Sequence, residues 1–119
     1  MDQHRLVVSL LIVYGANVNV SDMVGYTPLH YIVSYGDIFF VRQLLLCNAD
    51  VDAVDIDNWT PFYIAALHEE YEIMTLLVSE GAQVNVKDSS GRSPLMKAAL
   101  KKNVKLVTWL VNNVPNIHF

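Results

Sequence analysis

The clearest regularity in this chain is a group of four apolar residues that returns four times. In each copy, two adjacent apolar residues are followed three to four positions later by two more. This spacing places all four side chains on one face of an α-helix. The copies are Val7, Val8, Leu11 and Ile12; Phe40, Val41, Leu44 and Leu45; Ile73, Met74, Leu77 and Val78; and Leu106, Val107, Leu110 and Val111. Because no copy can bury its own stripe, the pattern predicts stacked units that cover one another.

A shorter helix is predicted before each of the last three groups, where a hydroxyl residue stands directly before a proline. The three sites are Thr27-Pro28, Thr60-Pro61 and Ser93-Pro94. A hydroxyl at the N-cap accepts from an unpaired backbone N–H, and proline at the first helical position removes no donor that the helix needs. The first of these helices should run from residue 28 to 35 and end at Gly36, with the next helix at about 39–47.

Three separate markers keep one interval of 33 residues. The first is Thr27-Pro28-Leu29-His30, Thr60-Pro61-Phe62-Tyr63 and Ser93-Pro94-Leu95-Met96. The second is Gly15-Ala16-Asn17-Val18-Asn19, Asn48-Ala49-Asp50-Val51-Asp52 and Gly81-Ala82-Gln83-Val84-Asn85, with a decayed copy at 114–118. The third is Asp22, Asp55 and Asp88, each of which is followed three residues later by Gly25, Asn58 or Gly91. Glycine and asparagine tolerate positive φ, so a tight turn is predicted at each.

These motifs resemble those of the ankyrin-repeat family, over essentially the whole chain. The resemblance rests on D-x-x-G-x-T-P-L-H, on the pairs Ala65-Ala66 and Ala98-Ala99, and on G-A-x-V-N. It implies an all-α solenoid of stacked helix-turn-helix units, with β-turn or hairpin loops that project from the helices. We expect a single domain over 1–119, made of a partial repeat (1–19), two full repeats (20–52 and 53–85) and a degenerate one (86–118).

Several positions depart from the family pattern. Asn48 and Val114 replace a helix-ending glycine, and Glu69 replaces the glycine found at Gly36. Tyr63 and Met96 replace the histidine that in this family usually bonds the backbone of an adjacent repeat. The last repeat is therefore expected to be a degenerate cap or the end of a longer array.

Composition agrees with a packed repeat array. Hydrophobic residues make up 53% of the chain and mean hydropathy is +0.30, which indicates either apolar surface that something else covers or a segment of a longer array. The charge is uneven: residues 1–86 hold two basic and eleven acidic residues, whereas residues 87–119 hold six basic residues and one acidic residue. Most of the chain would repel a phosphate backbone, so we do not expect nucleic-acid binding.

Nothing in the sequence forms a catalytic or metal-binding constellation. No two histidines are spaced i, i+4, the single Cys47 has no partner at a metal-ligand interval, and no phosphate-binding glycine loop occurs. No apolar run is long enough to span a bilayer. We therefore predict a protein that is not an enzyme, with no cofactor, no small-molecule substrate and no membrane insertion.

The resemblance implies that target contacts come from the turn tips and from the adjoining end of the first helix of each repeat. The residues predicted to bind a partner are Met23, Val24, Tyr26, Tyr35, Ile56, Asp57, Trp59, Leu67, His68, Arg92 and Lys101. Tyrosine and tryptophan are enriched at binding hot spots because a stiff ring buries much area at little entropic cost. The alternative is that Tyr26 and Trp59 only pack against neighbouring turns.

The basic end of the chain has three open interpretations. Its cations are Lys87, Arg92, Lys97, Lys101, Lys102 and Lys105. They form a solvated face, they bind an acidic region of a partner, or they contact nucleic acid. The last is the least favoured, because aromatic residues do not interleave with these lysines.

The resemblance also implies a modification. In intracellular ankyrin proteins the asparagine of V-N can be hydroxylated by an asparaginyl hydroxylase that favours a leucine eight residues earlier. Asn19 with Leu11 and Asn85 with Leu77 fit that spacing. The alternative is that these asparagines only bond the loop backbone.

The predicted function is recognition of another protein through the turn tips and the concave helix face. The alternative is a structural or adaptor segment of a longer ankyrin array, as in a scaffold, a channel tail or a ubiquitin-ligase substrate adaptor. We expect a cytoplasmic or nuclear location, and a monomer or weak self-association through uncapped ends. Fold alone does not identify the partner.

Overall fold

The computed structural model describes residues 2–113, and seven α-helices account for its regular structure. They are α1 (Gln3–Val13), α2 (Pro28–Tyr35), α3 (Ile38–Leu46), α4 (Pro61–Leu67), α5 (Tyr71–Ser79), α6 (Pro94–Leu100) and α7 (Val104–Asn113). No β-strand occurs within this range. The helices match the predicted repeat, and α3 lies within one residue of its expected bounds. The expected exit loop at 114–118 lies outside the described residues.

The helices α2, α4 and α6 begin where the sequence predicted. The hydroxyl oxygens of Thr27, Thr60 and Ser93 each accept a hydrogen bond from the backbone N–H three residues later. In α2 the cap is reciprocal, because Nδ1 of His30 also accepts from the Thr27 N–H at 3.1 Å. A proline at the first helical position fixes φ in each case, so local chemistry alone sets these three starts.

The connection between paired helices passes through one left-handed residue. Gly36 ends α2 with φ +72°, and its equivalents Glu69 and Lys102 keep the same conformation at +54° and +56°. A second left-handed residue follows each of α1, α3 and α5. It is a glycine at Gly15 and Gly81, and Asn48 has the same conformation at +65°. The missing glycines therefore leave the turns unchanged in shape, although side chains at positive φ cost conformational energy.

The helices form two rows. An inner row of α2, α4 and α6 packs helix on helix, and an outer row contains α1, α3, α5 and α7. Within a repeat, α2 packs on α3, α4 on α5, and α6 on α7. The result is elongated, with extents of 42 × 26 × 24 Å.

The core is deepest in the middle repeat. Side chains of the run 62–66 are at most 1% exposed, and the small pair Ala65-Ala66 lets neighbouring helices approach closely. Of the sixteen residues in the predicted apolar stripes, eight are buried and six are partly buried, but Val7 and Val111 are about half exposed. These two residues lie on α1 and α7, the end helices of the outer row, so no further helix covers them within the described range.

Candidate functional site

Each turn before an inner helix is held by one aspartate side chain. Oδ1 of Asp55 accepts from the backbone N–H of Asp57 at 2.9 Å and of Trp59 at 2.8 Å. The same pair of bonds recurs at Asp22 and at Asp88, to the second and fourth residues after each. The aspartates therefore fix the backbone of the predicted tip residues, because each folds the chain into a tight turn around its own carboxylate.

Adjacent turns are bonded to one another. The Ile56 N–H donates to the Val24 carbonyl at 3.0 Å, and the Ser89 N–H donates to the Asp57 carbonyl at 2.9 Å. The turns are hydrogen-bonded as predicted for hairpin-like loops, without forming strands in the described chain. Apolar side chains project from this strip of tips, since Met23 is 99% and Ile56 68% exposed. We call the tips and the adjoining inner helices the turn-side face.

Two ring stacks lie behind the tips. The ring of Tyr26 stacks on His30 at 5.1 Å between centroids, and the ring of Trp59 stacks on Tyr63 at 5.6 Å. Tyr26 and Trp59 are both half-buried. Each therefore has one ring face packed and part of its surface in solvent, a state compatible with both interpretations made from the sequence.

The stacked rings also link the repeats. Nε2 of His30 bonds the Trp59 carbonyl oxygen at 2.9 Å. The Tyr63 hydroxyl donates to the Arg92 carbonyl at 2.8 Å, so tyrosine makes the inter-repeat bond expected from histidine. Burial is the largest influence on His30 and lowers its pKa below the ordinary value. Burial followed by the charge of Asp88 raises the pKa of Tyr63, so its hydroxyl stays a donor at neutral pH.

Four of the predicted residues border one groove of about 350 Å³. Its lining is Trp59, Leu67, Arg92, Lys97, Leu100 and Lys101. These residues come from two adjacent turns and from the ends of α4 and α6. The groove therefore has apolar walls from the tryptophan and the two leucines, with three cations around them.

Lys97 holds one side of this groove in place. Its Nζ lies 5.2 Å from the centre of the Trp59 ring and 3.3 Å from Oδ2 of Asp88. Desolvation acts against ionisation of Asp88, but hydrogen bonds from Arg92 and Lys97 outweigh it and lower the pKa of this carboxyl. Lys97 is thus a cation shared between an aromatic face and a carboxylate, and Arg92 and Lys101 are exposed beside it.

A second aromatic cluster surrounds Tyr26. Its ring meets Tyr31 edge-on at 5.0 Å, and His4 of α1 stacks on Tyr31 at 4.2 Å and contacts Tyr35. The Tyr31 hydroxyl donates to Asp22. A mainly apolar groove of about 230 Å³ opens here between α1 and α2. Tyr26 and Tyr35 were predicted from the sequence as site residues, whereas His4 and Tyr31 were not.

Tyr31, which was not predicted, and Lys97, which was predicted only as part of the basic end, occupy the same position of the repeat. The equivalent residue of the middle repeat is Ile64, which is fully buried. The sequence therefore did contain a signal for these two residues. It is a polar or amphipathic side chain at a repeat position that is otherwise buried in the core. Of the remaining predicted residues, Val24 and Asp57 lie at the tips, and His68 is exposed at the end of α4.

Asn19 bonds the loop of the next repeat through both ends of its amide. Its Nδ2 donates to the Asn48 carbonyl at 3.1 Å, and its Oδ1 accepts from the Asp50 N–H at 2.7 Å. Asp52 makes the second of these bonds one repeat later, to the Gln83 N–H. Asn19 and Asn85 are both exposed.

Between residues 2 and 113, no three histidine, cysteine, aspartate or glutamate side chains are grouped so as to hold a metal ion. None of the seven helices is long and apolar enough to cross a membrane.

A family model described as ankyrin repeats (3 copies) matches residues 1–88 and, in a second placement, residues 32–118. No curated protein matches the chain.

Proposed function

Because the chain belongs to the ankyrin-repeat family, whose repeats generally mediate interactions between proteins, we propose that it binds a partner protein through the turn-side face. Domains of this family are typically non-catalytic interaction modules. The proposed contacts are the eleven residues predicted from the sequence. The groove at Trp59 is the centre of the site.

The observation that carries this proposal is the composition of that groove. Trp59, Leu67 and Leu100 supply apolar surface, and tryptophan and arginine, which both line this groove, are among the residue types enriched at binding hot spots. Exposed Arg92 and Lys101 stand at its edge. The partner segment that fits this groove has an apolar or aromatic side chain followed or preceded by carboxylates, in agreement with the acidic-partner interpretation of the basic end.

The experiment begins with capture of partners by the wild-type chain and by a Tyr26→Ala/Trp59→Ala variant. A protein lost from the second sample is then titrated against purified single variants. Trp59→Ala should weaken binding by about 2 kcal/mol, roughly thirtyfold in Kd. Leu10→Ala removes an exposed apolar side chain from α1, which contributes no residue to this groove, and should leave Kd unchanged.

Unfolding curves accompany the titrations, since Trp59 also stacks on Tyr63. An unchanged Kd for Trp59→Ala, with the fold intact, would remove the groove from the proposed site.

A second candidate function is that of a structural or adaptor segment within a longer array, such as a scaffold, a channel tail or a ubiquitin-ligase substrate adaptor. The groove of about 230 Å³ beside α1 favours it, because Val7, Val8 and Val20 line a surface on which another inner helix could stack. The sequence of the full-length messenger RNA distinguishes the two functions. An upstream continuation of the 33-residue period would support the array.

Location and modification belong to the same proposal. A partner in the cytoplasm or nucleus is expected, and imaging of a tagged full-length protein tests it.

Hydroxylation at Asn19 and Asn85 is tested by intact-mass measurement after incubation with an asparaginyl hydroxylase. A gain of one oxygen that disappears in an Asn19→Ala/Asn85→Ala variant supports it, and no gain in mass dismisses it.

A further inference from the structure

The exposed side of the outer helices changes character halfway along the chain. Equivalent positions in the four outer helices can be compared directly, because the repeat has no insertions. At three exposed positions the first two helices carry apolar or weakly polar residues and the last two carry polar ones. These sets are Leu6, Phe39, Glu72 and Lys105; Val13, Leu46, Ser79 and Asn112; and Tyr14, Cys47, Glu80 and Asn113.

All of these positions are exposed in every repeat. The fold therefore does not need an apolar side chain at any of them, because glutamate, serine and asparagine occupy the same positions in α5 and α7. We call Leu6, Val13, Tyr14, Phe39 and Leu46 the outer patch. Its members are between 43% and 79% exposed.

The outer patch lies on two neighbouring helices. The helices α1 and α3 pack side by side, and Phe39 and Leu46 are two turns apart on α3, a distance of roughly 10 Å. Single apolar residues on a surface need no explanation, but five large ones on adjoining helices mark an interaction site. The high mean hydropathy of the chain has part of its origin here.

The charges beside the outer patch are two carboxylates and one cation, because Glu72, Glu80 and Arg42 border the adjoining grooves. Val13 and Leu46 are the last residues of α1 and α3, and neither of these helices, nor α5, has a basic residue in its last turn. The C-terminal end of a helix carries partial negative charge, and cations are favoured there. Glu72 and Glu80 border the grooves between α3 and α5, next to the patch.

We propose that the outer patch is a second docking surface, which binds a segment of another protein that has an apolar face flanked by lysine or arginine. The apolar residues would cover Phe39 and Leu46, and the cations would lie at the helix ends and beside Glu72 and Glu80. This surface does not depend on the turn-side face, because its residues belong to the outer row of helices.

Arg42 lies between Phe39 and Leu46, and its positive charge would repel a basic partner. It borders the same two grooves as Glu80 and Glu72, so its charge is opposed by two carboxylates. The acidic surroundings also disfavour an anionic membrane surface as the occupant, since the glutamates would repel lipid phosphates.

The test uses a synthetic amphipathic peptide of about 18 residues, long enough for five helical turns, with leucine on one face and lysine on the other. Two comparison peptides have the same composition in scrambled order, or glutamate in place of lysine. Binding to the whole chain is measured by fluorescence anisotropy at physiological salt. The leucine–lysine peptide should bind at least about tenfold more tightly than either comparison peptide.

The matched variants use substitutions that the repeat itself tolerates. Phe39→Gln/Leu46→Ser imitates the polar residues of α5 without changing net charge, and should weaken peptide binding about tenfold while leaving the unfolding temperature unchanged. Met23→Ser/Ile56→Ser removes exposed apolar surface from the turn tips and should leave peptide binding unchanged. Glu72→Lys/Glu80→Lys keeps every apolar residue and should reverse the preference toward the leucine–glutamate peptide.

Equal binding of the scrambled peptide, or unchanged affinity of the Phe39→Gln/Leu46→Ser variant, would overturn the proposal. The proposal would also be overturned if wild type sedimented as a dimer and this variant as a monomer, because a second copy would then occupy the patch. Binding of wild type to phosphatidylserine vesicles, lost in the variant, would assign the patch to lipid. Partner titrations with Trp59→Ala report on the turn-side face alone, so either proposal can fail without the other.

Discussion

The Tyr63 hydroxyl donates a 2.8 Å hydrogen bond to the carbonyl oxygen of Arg92, in the adjacent repeat. His30 bonds the Trp59 carbonyl at 2.9 Å across the same interval of 29 residues. A phenol and an imidazole thus reach equivalent carbonyls from equivalent positions, and each carbonyl belongs to a residue whose side chain borders the turn-side face. This bond therefore ties the packing between repeats to the position of the proposed binding residues.

Removal of this bond should destabilise the chain. Tyr63→Phe leaves the Arg92 carbonyl without its partner and is expected to lower the free energy of unfolding by about 1–2 kcal/mol, measured by urea denaturation. Tyr71→Phe is the control, because the Tyr71 hydroxyl bonds the exposed Glu69 at 3.0 Å. Its cost should stay below about 0.5 kcal/mol. Equal costs for the two variants would mean that the bond between repeats contributes nothing.

Stability should depend on pH through His30. Burial lowers the pKa of this imidazole, so the unfolded chain takes up a proton near pH 6.5 and the folded chain does so only at a lower pH. The unfolded state then binds more protons, and the free energy of unfolding falls as the pH drops below 6.5 and is constant above it. Urea midpoints at pH 7.5, 6.5 and 5.5 measure this fall, above the range in which carboxylates titrate.

His30→Gln separates this titration from other effects. The variant should be less stable than wild type at pH 7.5, because it loses the imidazole bonds to Thr27 and Trp59. Its midpoint should change less between pH 7.5 and 5.5. A variant with the wild-type slope would show that the pH dependence comes from another group.

Left-handed side chains offer a simple stabilising substitution. Lys102 has φ +56°, a conformation that costs a side-chain-bearing residue about 1 kcal/mol and glycine much less. Lys102→Gly should raise the free energy of unfolding by roughly 0.5–1 kcal/mol. The neighbouring Lys101 has φ −86°, so Lys101→Gly removes the same charge and should destabilise by a similar amount. Denaturation of both variants in parallel tests this, and a loss of stability in Lys102→Gly would contradict it.

The parts of the fold that the sequence predicted are those set by local chemistry. Thr27, Thr60 and Ser93 determine helix starts within four residues of chain, and the apolar stripes determine which helix faces are buried. These signals repeat without insertion, so the register of the array followed from counting. The half-exposed Val7 and Val111 were not anticipated, because burial at the ends depends on neighbours and not on the pattern.

The candidate site was less predictable, because its geometry comes from contacts between repeats. The groove depends on Lys97 approaching both Trp59 and Asp88, and a lysine at a core position of the repeat is a signal that does not identify these two partners. His4 is far from Tyr31 in sequence and stacks on it only because α1 packs against α2. The outer patch could not be predicted from the sequence, because only the structure shows that its equivalent positions are exposed in every repeat.

Contact between adjacent turns can be tested with two glycines of the same conformation. Gly25 has φ +82° and Gly91 has φ +79°, so alanine at either position carries the left-handed cost of about 1–2 kcal/mol. A Cβ at Gly25 would also lie 2.9 Å from Cα of Asp55 in the next turn, whereas a Cβ at Gly91 meets no atom of the described chain within 4 Å. Gly25→Ala must therefore push the turns apart and weaken the 3.0 Å bond from the Ile56 N–H to the Val24 carbonyl. We expect it to cost at least about 1 kcal/mol more than Gly91→Ala in urea denaturation. If the two substitutions cost the same, the first two turns are not in the close contact that positions Val24, Ile56 and Trp59 on one face.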